Sequence, residues 1–167
     1  MKKIVLGLIA ALLFIGCSSD KAAEQNVEPK LVVGKSLENL GLKDQFEKPL
    51  SISKDTKKLM ISFSKDAGHI CSGFLEKQSA SYLKDNNIQY IADVSPAPSL
   101  IRSMFVIPGL QDIKYPILIL DDETVAAPFR AGINVEKTIV ISLDKNSITE
   151  IKTIDSEDEL KKALEAK

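Results

Sequence analysis

Hydrophobic and polar positions alternate along this chain in blocks of different period, and the blocks predict an order of elements. LENLGLKDQFEKPLSI sets Leu40, Leu42, Leu50 and Ile52 around the polar turn DQFEKP, the pattern of an opening β-hairpin. KKLMISFS is short, apolar and bounded by charge, as expected of a strand buried on both faces. In SGFLEKQSASYLKDN, Phe74, Leu75, Tyr82 and Leu83 recur seven and eight apart, which predicts an amphipathic helix stopped at Asn86-Asn87. IQYIADV is the next strand. SLIRSMF, after the turn at Pro96 and Pro98, is the next helix, with Leu100, Ile101, Met104 and Phe105 on one side. YPILIL is a third buried strand, closed by a turn at Asp121-Asp122-Glu123. KTIVISLDKNSITEIKTI is a hairpin turning at Asp144-Lys145-Asn146, and SEDELKKAL opens a last helix with a capping box from Ser156 to Glu159.

Strands alternating with helices require a largely parallel sheet covered on both faces, because each crossover lays its helix on the sheet; the late hairpin supplies an antiparallel edge. The expected class is α/β, a three-layer thioredoxin-like arrangement with a mixed central sheet, occupying residues 34–167.

The first residues follow a different pattern. Lys2 and Lys3 precede an uncharged run from Ile4 to Gly16, which reads as a targeting signal. The run is too short to span a bilayer, which takes about 20 helical residues. LFIGCSS resembles the bacterial lipobox. That resemblance implies a signal peptide over 1–16, cleavage before Cys17, a diacylglycerol on its sulfur and an acylated amino group, hence a lipoprotein on the periplasmic side of the envelope. Ser18 tilts the expectation towards the outer membrane. Residues 17–33, with the polar run SSDKAAEQNVEPK, are expected to be a flexible tether.

Removing Lys2 and Lys3 from the 22 basic residues leaves 20 against 23 acidic ones. Mild acidity and only two arginines, Arg102 and Arg130, argue against a nucleic-acid partner. The membrane, a thiol reductant or an envelope protein are the expected partners. With Cys17 acylated, Cys71 has no partner within the chain for a disulfide.

The chemistry concentrates in SKDAGHICSG, which holds the only histidine and the only cysteine beyond Cys17. A thiol in the first turn of a helix faces unpaired N–H groups and the positive end of the macrodipole, which favours thiolate. Cys71 is thus a candidate nucleophile, with His69 two residues away as an auxiliary. Asp66, His69 and Cys71 do not complete a tetrahedral metal shell without a second His or Cys, so neither a metal nor another cofactor is expected. Arg130 is expected at the surface.

These segments together resemble the thioredoxin-like superfamily, and within it the peroxiredoxin branch. FSKDAGHICSGF is similar to that branch's strand-to-helix segment, in which Lys65, Asp66 and Cys71 keep the register of the peroxidatic cysteine. IADVS, YPILILDDETVAAPFRAG and KTIVISLDKNSITEI resemble its later strands. The resemblance implies single-cysteine thiol redox or weak peroxidase activity through Cys71, with Gly68 to Ser72 as a backbone nest and an outside thiol as reductant. The site is degenerate, because Gly68 and His69 replace the family's hydroxyl residue and proline. Glu136 and Lys137 stand where the family has an arginine, which leaves Lys137 as a point charge in its place. In the thioredoxin register Cys71 falls on the second cysteine of Cys-x-x-Cys and Gly68 on the first. The alternative expectation is a catalytically inactive binding module for an envelope protein.

Overall fold

A computed structural model describes residues 27–166. The signal segment, Cys17 and the first part of the expected tether lie outside the described residues. The chain runs β1 (Lys43–Asp44), β2 (Lys58–Ser62), α1 (Lys65–Glu76), α2 (Tyr82–Asp85), β3 (Ile88–Asp93), α3 (Ser99–Ile101), a π-helical turn (Arg102–Val106), α4 (Ile107–Gln111), β4 (Ile117–Leu120), α5 (Glu123–Arg130), β5 (Thr138–Asp144), β6 (Ser147–Ile154) and α6 (Glu157–Glu165).

The strands form one sheet in the order β1-β4-β3-β2-β5-β6. β2, β3 and β4 are mutually parallel, while β1, β5 and β6 join antiparallel. Side chains of the central strands alternate between two cores. In β4, Ile117 and Ile119 face the core under α1 and α6, whereas Leu118 and Leu120 face the one under α5. The continuous apolar runs that predicted doubly buried strands arise from this two-sided coverage.

The opening hairpin is smaller than its pattern suggests. Its turn forms, with the Asp44 amide bonded to the Lys48 carbonyl and the Leu50 amide to that of Leu42, but only two residues extend the sheet. Gln45 replaces a longer ladder: its amide donates to the Tyr115 carbonyl at 2.7 Å and accepts from the Ile117 N–H at 2.9 Å.

The helix placed after Cys71 starts earlier and stops sooner. Ser64 caps it by accepting from the Ala67 amide, so it begins at Lys65. It ends at Glu76 because Ser79 and Gln78 turn their carbonyls to the Tyr115 hydroxyl and Lys114, leaving α2 as a separate turn. The SLIRSMF helix continues through Pro108. Proline has no N–H to offer the carbonyl four residues back, and the preceding turn widens so that the Ile107 amide bonds to Arg102 instead.

α5 has no counterpart in the sequence pattern, which marks only a turn at 121–123 ahead of it; Asp122 caps it through the Thr124 amide, and Pro128 disguises it in the sequence. Lys145 and Asn146 close the β5–β6 turn at positive φ. Residues 30 and 31, assigned to the tether, already belong to the domain: the Lys30 amide bonds to the Pro128 carbonyl and Leu31 is buried.

Candidate functional site

A cleft of about 1250 Å³ opens at the carboxyl ends of β2 and β3, between α1 and α4. In open α/β sheets this end is where ligands bind. Its floor includes Ser62, Tyr90 and Ala92, one wall carries Gly68, His69 and Ser72, and the opposite wall carries Val106, Gly109, Leu110 and Ile113. At the strand ends it reaches Asp93, Glu123 and Arg130.

Cys71 is not on the surface of this cleft. The thiol is fully buried in the core beneath α1, with Thr138 Oγ1 at 3.8 Å and the Tyr90 hydroxyl against it. Burial pushes it up to about 12, although hydrogen bonding with Thr138 and Tyr90 pulls the other way. The Thr138 hydroxyl in turn donates to the Ala67 carbonyl, and Tyr90 shares a 2.8 Å hydrogen bond with Ser62 on the cleft floor. Burial also raises the Tyr90 phenol well above its usual value, with Cys71 adding to the effect.

Two expectations about the thiol are therefore corrected. Because α1 begins at Lys65, Cys71 lies two turns inside the helix and meets no free N–H groups. The supposed nest is ordinary helix, in which the Gly68 amide already bonds to the Ser64 carbonyl. Nor do His69 and Cys71 cooperate, since residues two apart on a helix point about 200° apart. Cys71 faces the core while His69 is exposed on the cleft wall. Lys137 is turned to Asp155, whose hydrogen bond and charge raise its pKa, and it is Glu136 rather than Lys137 that reaches the cleft.

What the sequence reading placed at the surface, Arg130, is the best-organised charge in the cleft. Its side chain is only 19% exposed. One guanidinium nitrogen donates to Asp93 Oδ2 at 2.8 Å and to the Ser95 hydroxyl at 3.0 Å, and the other pairs with Glu123. Burial lowers its pKa, but the two carboxylates more than offset this and raise it overall. Asp93 is completely covered and also accepts the Ser95 amide and hydroxyl. The sequence carried a signal for this cluster in Asp93-x-Ser95 at a strand end, and in Glu123 and Arg130 seven apart on one helix face.

The thiol's elevated pKa has a pH consequence. The folded chain holds the Cys71 proton more tightly than the unfolded chain does, so that stabilisation is complete below pH 9.0, the ordinary thiol value, and is lost as pH rises towards about 12. Wild-type stability should fall through this window by up to about 1.4 kcal/mol per pH unit more steeply than that of Cys71→Ser. Paired urea titrations at pH 8, about 9.5 and about 10.5 check this; parallel pH dependences would mean the sulfur ionises freely.

No protein-family model matches the chain, and no curated protein matches it. Solved structures do. The peroxidoxin BcpB of Mycobacterium tuberculosis superposes with a TM-score of 0.52 at 16% identity, over 79% of this chain and 93% of that one. A putative protein disulfide isomerase from Bacteroides thetaiotaomicron gives 0.52 at 18% identity, over 80% and 86%. An uncharacterized thioredoxin-like protein from Porphyromonas gingivalis gives 0.50 at 13% identity, over 82% and 91%. The domain has a thioredoxin-like fold. At these identities the likeness is one of architecture. Within this thioredoxin-like frame the position three residues before Cys71 is Gly68, on the cleft wall, where an added Cβ would meet only Ser62 Oγ at 4.0 Å.

Proposed function

We propose that this is a lipid-anchored, thioredoxin-like binding module of the bacterial cell envelope, facing the periplasm from the membrane that holds its acylated Cys17. Its cleft takes up an extended segment of an envelope protein. The observation that carries this reading is the separation of sulfur from cleft: Cys71 is buried with its pKa at about 12, while an open, largely apolar cavity lies beside it. The volume exceeds the roughly 300–1,000 Å³ of small-molecule pockets, which suits a stretch of polypeptide.

The test pairs two variants. Gly109 lines the cleft, and a Cβ added there meets nothing within 4 Å, so Gly109→Phe sets a bulky ring on the cleft wall. Cys71→Ser should retain an envelope protein crosslinked to the anchored wild type, and Gly109→Phe should lose it. Retention by Gly109→Phe with loss in Cys71→Ser would reverse the assignment.

A second reading, a peroxiredoxin-like single-thiol redox role for Cys71 without help from His69 or Lys137, draws on the Thr138 and Tyr90 hydroxyls, which offset part of the rise that burial imposes on the thiol. In that chemistry the deprotonated sulfur attacks the O–O bond of a peroxide. Two electrons pass to the peroxide, the sulfur becomes sulfenic acid, an alcohol leaves, and an external thiol reduces the product. Peroxide consumption by the wild type that is absent in Cys71→Ser would establish it.

A further inference from the structure

The helical stretch from Ser99 to Gln111 has two faces. Val106, Ile107 and Leu110 pack on the core, whereas Leu100, Ile101, Met104 and Phe105 point outwards at 65, 45, 57 and 65% exposure. Their spacing of one, three and one places them on a single outward stripe. The surrounding sequence is unusual for this chain: from Val94 to Gln111 there is no carboxylate side chain and one cation, Arg102, although the whole chain carries 23 acidic residues.

We infer that this face rests on the bilayer, its four apolar side chains entering the boundary between headgroups and acyl chains. The inference deepens the proposed function and rests on the lipid anchor of that reading. The ten residues from Cys17 to Asn26 reach at most about 35 Å even when extended. A domain of this size has a radius of gyration of about 14 Å and so is nearly 40 Å across. The anchor therefore keeps the domain within about one diameter of the membrane; the chain enters the domain beside α5, where the Lys30 amide bonds to the Pro128 carbonyl, and a tether of this reach lets the opposite layer turn to the bilayer. An apolar stripe on a segment without acidic side chains is the chemistry that a bilayer surface accepts; the segment's one cation, Arg102, donates to the Asp121 carbonyl. Seating this face on the bilayer sets the wall of the cleft formed by Val106, Gly109 and Leu110 close to the membrane.

The chain has no tryptophan, so a single substitution provides a clean reporter. In the acylated protein on vesicles of phosphatidylethanolamine and phosphatidylglycerol, Phe105→Trp emission should shift to the blue. Brominated acyl chains should quench it at least about twofold more than Val125→Trp, an exposed position on α5 across the sheet. Equal quenching at the two positions overturns the proposal and leaves the anchor standing. A mature chain without acyl mass on Cys17 removes the anchor and the tether argument with it. Independently, in the unacylated Cys17→Ser chain, Leu100→Glu combined with Phe105→Glu should lower co-sedimentation with the same vesicles at least about fivefold. Unchanged co-sedimentation, or loss of a dimer in solution instead, assigns the face to another protein surface and sinks the inference.

Discussion

Gly68→Cys should convert this domain into a working dithiol. Residues three apart on a helix bring their Cα atoms to about 5 Å, inside the range a disulfide spans. Position 68 lies on the cleft wall with room for a side chain, on the same side of α1 as Cys71. The wild type lacks the exposed member of such a pair, so it cannot form a disulfide between these positions. In the variant, the outer thiolate would attack a substrate disulfide. The resulting mixed disulfide would be resolved by Cys71, which gives up its proton and releases the substrate thiol. Under mild oxidant both thiols should disappear from a thiol titration together, and insulin reduction driven by dithiothreitol should rise at least about tenfold over wild type. Replacing an interior helical glycine also favours the helix by up to about 1 kcal/mol, so a folding defect is not expected. Persistence of two free thiols under oxidant would show that the buried sulfur does not point towards position 68.

The largest loss of stability is expected from Arg130→Ala. Removing the guanidinium leaves Asp93 fully covered, with only Ser95 to satisfy it, and frees Glu123 from the β3–α5 tie. Breaking a buried pair by deleting one partner costs about 3–5 kcal/mol, chiefly through the uncompensated charge. For a domain of this size the melting temperature should drop by about 10 °C or more. Asp93→Asn in the same chain should recover a large part of the loss, because the orphaned charge is then gone. A double-mutant cycle by urea unfolding separates that recovery from a simple sum of two defects. Additive losses would mean that Arg130 acts through packing alone.

The architecture was legible because apolar runs are set by which faces are covered. β2, β3 and β4 announce themselves as continuous hydrophobic segments, and Ser156 marks the start of α6 through the Glu159 amide as its capping pattern implied. Helix onset was harder to read, and the candidate site depended on it. Lys65 to Ile70 looks like a loop approaching a cysteine, yet the Ser64 cap commits it to helix, which swings Cys71 inwards and His69 outwards. Pro128 concealed α5, and with it the helix that delivers Arg130 to Asp93. These positions are joined only through the fold, since Arg130 and Asp93 are 37 residues apart. Local periodicity carries no record of such a pairing, whereas a strand's burial is written in its own residues.

The two margins of the sheet differ in how they deter other chains. β1 is two residues long and offers almost no backbone to pair with, while β6 is eight residues long and bears Glu150 and Lys152 along its length. Charged side chains and brevity are both barriers to strand addition. Neighbouring copies would thus find no bare ribbon on one another from which a fibril could grow, and crowding need not lead to aggregation.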